Sequence, residues 1–327
     1  MVNKDKVFFL VRFTVSLGLV AVLLVIMRNN ITDITNILKN SNKIFFAAAL
    51  AISIPTAIGM AFRLKMLMAG QGLDLSIKDF IYLTFIGYFF NNFFPTSIGG
   101  DVVKAHYASR KTNNKPGSYA AVITDRIIGF AGVISIAAVG IIFVGREFSS
   151  DRVLWIVGSL SLALIIVVSF LMGKRKFTGT PSIAFEKKPI LKKAIDKLSK
   201  LYSAINAYRH KGALLFKTYL LALFMQAAAV FSIYFFILSV GGDVRILRLL
   251  LIIPLVWALS MLPSLNGLGV REGAFVYFLK ADIGVDRAFS VSFLWLGVMV
   301  LYSLIGGILH LVYPFKIKVE EKSEGET

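Results

Sequence analysis

Six stretches of this chain, at about 7–27, 44–62, 117–145, 153–172, 213–240 and 288–313, are each apolar over the length needed to cross a bilayer. Hydrocarbon offers backbone groups no water, so a stretch of about 20 apolar residues must close its own hydrogen bonds as a helix. Composition agrees: 57% of the 327 residues are hydrophobic and 17% are charged, against roughly 25% charged in a soluble domain. The first stretch is too long for a signal peptide and reads as a retained span. The sequence therefore predicts an all-α polytopic membrane bundle, a single domain over 1–316. An acidic, polar tail at 317–327 is expected to be disordered.

Two further apolar segments, 80–94 and 246–262, are too short to span. Each runs into a cluster of breakers and polar groups. The first holds Asn91, Asn92, Pro95, Gly99, Gly100 and Asp101, and the second Pro263, Asn266, Gly267, Gly269, Arg271 and Glu272. Proline removes a backbone donor and glycine weakens a helix, so both segments are read as re-entrant half-helices that expose polar backbone. Such backbone is tolerated at membrane depth only inside protein or against a wet cavity. In both, glycine follows proline by four positions, and a basic residue, Lys104 or Arg271, follows by eight or nine. FFPTSIGGDVVKAHY and MLPSLNGLGVREGAF are alike enough to suggest an inverted repeat whose broken helices meet near the midplane, an arrangement found in many transporters.

Charge sets the expected orientation. Residues 173–211 carry eleven Lys or Arg against Glu186 and Asp196, which places them in the cytoplasm by the positive-inside rule. With six full spans, the N- and C-termini are then also cytoplasmic, as are 63–79 and 101–116; eight spans with the N-terminus outside also keep the basic segment inside but export Lys4 and Lys6. Within this segment, from Lys187 to Arg209, Ile190, Leu191, Ala194, Ile195, Leu198, Leu201, Tyr202 and Ile205 share one helical face. The basic residues around them predict a helix lying on an anionic leaflet. The formal charge of +18 is thus a membrane signal and not a nucleic-acid footprint.

Ionisable groups inside the apolar stretches carry the functional signal, because one charge at mid-bilayer costs at least about 2.5–3.5 kcal/mol. Asp125 and Arg126 lie well inside the 117–145 stretch, and being neighbours they diverge by about 100° and need different partners. Asp101, Lys104, Arg271 and Glu272 lie just after the two breaks. The expected pairings are Asp125 with Arg271, and Arg126 with Asp101 or Glu272. These groups either contact a substrate or merely tie helices together. Asn91, Asn92, Asn266 and Gln226 are open to the same two readings. The glycines Gly99, Gly100, Gly267 and Gly269 either cradle phosphate with exposed N–H groups or only permit tight reversal. Ser97 and Ser264 have no adjacent histidine to activate them. There is no cysteine, and His106, His210 and His310 are scattered, so no metal and no cofactor are expected. No Walker-type loop is present, so ATP is not the driver.

The segments NNFFPTSIGGDVVKAHY, ITDRIIG at 123–129 and LPSLNGLGVREGAF together resemble the lysylphosphatidylglycerol synthase transmembrane family, also called flippase-like or UPF0104. The resemblance covers nearly the whole chain. It implies a polytopic protein of the inner, cytoplasmic membrane, and in the family's best-known members this domain moves aminoacylated phosphatidylglycerol between leaflets. The family's best-known members add a soluble aminoacyl-transferase domain. This chain stops at Thr327, so aminoacyl transfer is not expected. Lys104 stands where arginine is expected after Gly-Gly-Asp, keeping the charge but losing the bidentate fork for phosphate.

The sequence thus points to translocation of a phospholipid or lipid-linked carrier with a phosphate-bearing headgroup. Asn91, Asn92, Asp101, Lys104, Asp125, Arg126, Asn266, Arg271 and Glu272 are the candidate substrate contacts. The alternative is a membrane-embedded enzyme, or an accessory subunit of one, acting on lipid-linked sugars. Membrane-protein partners or a homo-oligomer are also compatible with the sequence.

Overall fold

The computed structural model describes residues 31–91, 99–144, 199–262, 264 and 267–312. The stretches expected to span at 7–27 and 153–172, most of the basic segment, the tail, Asn92, Pro95, Ser97, Pro263 and Asn266 lie outside them. Within the described residues the fold is helical, with no strand. The helices are α1 (Ile31–Lys39), α2 (Lys43–Gly70), α3 (Ile77–Asn91), α4 (Gly99–Thr112), α5 (Lys115–Val144), α6 (Gly212–Ser239), α7 (Ile246–Leu259), α8 (Val270–Ile283) and α9 (Val285–Val312). A helical turn over 199–206 and a 3₁₀ turn at Ala207–His210 lead into α6.

Four of the expected spans are present as α2, α5, α6 and α9, each 28 to 30 residues long and apolar enough to cross a membrane. Their outward residues fit lipid: Phe224 is 71% exposed and Leu311 87%, positions that water would penalise and acyl chains solvate. One boundary differs from the sequence reading. The first of these helices does not stop at 62 but carries Arg63 inward and continues to Gly70. Arginine marks a span end only when its charge must reach water, and this one meets a carboxylate inside the bundle. The segment 101–116 is mostly helix α4.

The remaining helices are short. Those of 14 or 15 residues, α3, α4, α7 and α8, measure roughly 21–23 Å, less than the roughly 30 Å of a hydrocarbon core. They form two pairs. In the first, α4 folds back antiparallel on α3, with Lys111 Nζ 2.5 Å from Asp79 at the open end and Gly100 N donating to Asn91 Oδ1 at 2.8 Å at the closed end. Glycine is required at the tip, because a Cβ on Gly100 would collide with the Gly87 carbonyl and sit 2.7 Å from Asn91 Oδ1. In the second pair, Arg248 of α7 and Asp282 of α8 form the corresponding ion pair. Acid and base have changed places between the two.

Lengths therefore run long, short, short, long twice. The starts of α2 and α3 and the end of α2 recur 169 residues later in α6 and α7. Gly72 and Gly241, with φ of 72° and 71°, turn the chain at equivalent places. The first long helices of each half, α2 and α6, pack antiparallel. Asn42 N donates to the Ser239 carbonyl at 2.7 Å at one end, the Ser53 and Ser232 hydroxyls meet at 2.8 Å, and Lys211 Nζ reaches the Gly70 carbonyl at the other end. Each short first helix then packs on the last long helix of the other half. For α3 on α9 the contacts are Tyr88 on Tyr302 and Gly306 under the Phe85 carbonyl; for α7 on α5, Gly140 sits against the Leu250–Leu251 backbone. Since Tyr88 already lies at Tyr302, α3 ends at Asn91 near the middle of α9, not at its end.

Close helix approach depends on these small residues, as in membrane bundles generally. Gly306→Ala places a methyl group into the Phe85 carbonyl. It should destabilise the protein in detergent by about 1–3 kcal/mol, measured by thermal unfolding. Gly297→Ala, on the same helix with nothing within 4 Å of the added Cβ, should stay within about 0.5 kcal/mol of the parent.

Candidate functional site

The broken ends of both short pairs face one cavity of about 320 Å³, within the range of small-ligand sites. It follows α2 from Ser53 to Arg63, ten residues or about 15 Å of helix. Asn91 and Tyr88 reach it from α3, Asp101 and Lys104 from α4, Asp125 and Arg126 from α5, Gln226 from α6, and Ser260 and Arg271 from the second break. The charges that the sequence scattered over 170 residues therefore share one space.

Two adjacent residues on α5 organise its charged end. Asp125 turns towards α2 and accepts both prongs of Arg63, Nε at 2.6 Å and Nη2 at 3.1 Å. Gly129, one turn on, keeps room for that guanidinium, whose Nη2 lies 3.4 Å from where a Cβ would be. Arg126 turns towards α4 and donates from Nη1 to Asp101 Oδ2 at 2.7 Å. Its guanidinium also lies 5.3 Å from the centre of the Phe130 ring, a cation–π distance. The other oxygen of Asp101 takes Lys104 Nζ at 3.0 Å, and the lysine stem can cross α3 only because residue 87 is glycine. Asp101 is thus a carboxylate gripped by two cations, at the first turn of α4 where a helix end also favours negative charge.

The second break is built differently. Gly267 and Gly269 hold φ of 78° and 83°, left-handed values that other residues avoid. Glu272 reaches back to accept from Gly269 N at 2.6 Å through Oε2, while Oε1 takes Arg271 Nε at 3.0 Å and Nη2 at 2.6 Å. Glu272 therefore holds the helix start and the arginine from behind, and Arg271 is the member of the pair that lines the cavity.

Several expectations can be placed directly. The pairing of Arg126 with Asp101 is present. Asp125 is not paired with Arg271; it is paired with Arg63, a residue the sequence reading passed over as the end of a span, and Arg271 is held by its neighbour Glu272. Of the four glycines proposed to offer N–H groups to phosphate, Gly100 and Gly269 already donate theirs to Asn91 and Glu272. Asn91 and Gln226 line the cavity, whereas Ser264 is buried and donates to Leu262 O at 3.2 Å. Aromatic and thioether groups also missed by the sequence reading, Trp257, Trp295, Met299 and Tyr302, form much of the opposite wall. They carry neither charge nor a helix break, the two signals the sequence reading used. His106, His210 and His310 form no cluster with other metal-binding side chains among the described residues.

A buried pair broken on one side leaves an uncompensated charge, so Arg63→Met should destabilise the protein by about 3–5 kcal/mol. In a double-mutant cycle with Asp125→Leu, unfolding in detergent should reveal a coupling of at least about 1 kcal/mol. The same cycle between Asp125 and Arg271 should fall within about 0.5 kcal/mol of additivity.

Comparison with known proteins bears on what this arrangement belongs to. Residues 9–307 match the family described as the lysylphosphatidylglycerol synthase TM region. The chain is also 25% identical over 323 residues to a UPF0104 membrane protein of Pyrococcus horikoshii, an alignment that spans 90% of this chain and 95% of the relative. A helical bundle with several membrane-length helices and a family match over nearly its whole length make this chain a multi-pass membrane protein of the lysylphosphatidylglycerol synthase transmembrane-region family.

Proposed function

We propose that this protein translocates a phospholipid or lipid-linked carrier between the leaflets of the cytoplasmic membrane, with the headgroup crossing in the cavity while the acyl chains remain in the bilayer. The observation that carries the proposal is the convergence of Asp101, Lys104, Asp125, Arg126 and Arg271 on one space of headgroup size. Intramembrane ionisable groups are expensive, and those that face a cavity mark a substrate path.

In this reading the two short pairs are re-entrant hairpins, and the two halves are an inverted repeat. Antiparallel packing of α2 on α6, the 169-residue recurrence and the end of α3 near the middle of α9 all support it. An inverted repeat gives the cavity two equivalent ways to open, one to each leaflet, which alternating access requires. Both termini and the basic segment then face the cytoplasm, as the positive-inside rule requires. No phosphate-gripping loop for a nucleotide occurs in the sequence, so the lipid gradient or an ion supplies the driving force.

The test is reconstitution of the full chain into liposomes containing a lipid with a fluorescent tail, followed by chemical quenching of the outer leaflet. Exchange between leaflets should be fast with the parent protein and fall at least about tenfold in Asp101→Asn, which releases two cations at once. Exchange unaffected by that change, or a new lipid product formed without exchange, would refute translocation through this cavity.

A further inference from the structure

Resting on the translocation reading, the neutral groups of the cavity carry information that its ion pairs do not. The two halves of the fold line it with different chemistry. At the 169-residue spacing the counterparts of Arg63, Tyr88 and Arg126 are Ser232, Trp257 and Trp295, and all six residues line the same space. Beside the charged end there is thus a neutral wall rich in indole and hydroxyl groups.

Three donors on this wall have no acceptor. The Gln226 amide nitrogen is buried without a hydrogen-bond partner, and neither Trp257 nor Trp295 makes a hydrogen bond or a ring contact among the described residues. Indole N–H groups inside a protein ordinarily find a partner, as do buried amides. A single unmet donor carries little weight; three around one cavity point to acceptor oxygens that arrive with a ligand. The hydroxyl groups show the complementary pattern. Thr56 Oγ1 donates to Ile52 O at 2.7 Å, Ser260 Oγ to Val256 O at 2.6 Å and Tyr88 Oη to Met60 Sδ at 3.1 Å. Their protons are committed within the protein, so towards a ligand these oxygens are acceptors.

A ligand that meets both sets must accept and donate at several positions without carrying charge there, which is the chemistry of adjacent hydroxyl groups on carbon. The indole faces add a third requirement, because their negative π surfaces favour weakly positive C–H groups. A ring polyol presents C–H groups on its faces and hydroxyls around its rim. We propose that the cavity recognises a phosphate ester of an uncharged ring polyol, a sugar or an inositol, with the phosphate at the charged end and the ring received by Trp257, Trp295 and Gln226. A headgroup without hydroxyls leaves the same donors unmet, so this recognition does not depend on headgroup charge.

The test therefore holds charge constant. The full chain is reconstituted with phosphatidylinositol, phosphatidylglycerol or phosphatidylmethanol, which share one labelled tail and a single negative charge but differ in headgroup hydroxyls. Phosphatidylinositol should exchange between leaflets about tenfold or more faster than phosphatidylmethanol. Binding is read separately by calorimetry in detergent, with the dioctanoyl forms and with farnesyl phosphomannose against farnesyl methyl phosphate. Polyol preference in either pair upholds the proposal, and the stronger pair says whether the chain is glyceride or isoprenoid. Gln226→Leu should weaken phosphatidylinositol binding about fivefold, leave phosphatidylmethanol within about twofold, and not lower thermal stability, since the amide has no partner to lose. Trp295→Phe, which keeps a ring and removes the N–H, should also weaken phosphatidylinositol selectively. Polyol preference in binding without exchange of any lipid would refute translocation and uphold the polyol site. Equal binding and exchange of hydroxylated and methyl headgroups, or a preference untouched by both substitutions, would overturn the polyol site and leave translocation standing.

Discussion

The rest of this structure depends on the cost of carrying charge into hydrocarbon. Asp125 sits in the interior of a 30-residue span, and what keeps it there is Arg63 from a helix 62 positions earlier. That pair fixes α2 against α5. Its neighbour Arg126 fixes α5 against α4 through Asp101. Because two adjacent residues on a helix point about 100° apart, one dipeptide ties three helices together and leaves a charged space between them. Replacing these pairs by apolar residues would often be neutral for stability, so their retention is better understood through what the space can hold than through what the bundle needs to fold.

The two short pairs solve a related problem. A helix that ends inside the bundle leaves carbonyls or N–H groups unmet, each costing several kcal/mol in lipid. Here side chains close part of that deficit: Asn91 receives the Gly100 N–H and Glu272 the Gly269 N–H. The glycines serve these contacts through geometry, by close approach at Gly100 and by positive φ at Gly267 and Gly269. One backbone N–H at each break is thereby occupied, and Asp101, Lys104, Arg126 and Arg271 line the cavity beside them.

Much of this was legible beforehand. The membrane class, four of the spans, both broken segments and the residues Asp101, Lys104, Asp125, Arg126 and Arg271 follow from length and from the rarity of charge in apolar stretches. Arg63 was not found, although the signal existed: the apolar pattern continues past it through Leu64, Met66, Leu67 and Met68. The apolar stretch was ended at 62, one residue before it. Glu272 was placed at the site on proximity to Arg271, yet neighbours in a helix need not share a surface, and it turns to the helix start instead. Trp257 and Trp295 are two of only three tryptophans in the chain, but they carry neither the charge nor the helix-breaking signal on which the sequence reading relied.

The sequence by itself determined that this chain belongs in a bilayer, where its helices break and which charges are too costly to be accidental, because all of these follow from transfer free energies of residues taken one at a time. Only the tertiary structure decided which charges meet. Pairing depends on helix rotation and on packing between segments 60 or more residues apart, and no local energy encodes either. Asp125 chose Arg63 over Arg271 for that reason, and the meeting of Asp101, Lys104, Arg126 and Arg271 around one cavity exists only in the assembled bundle.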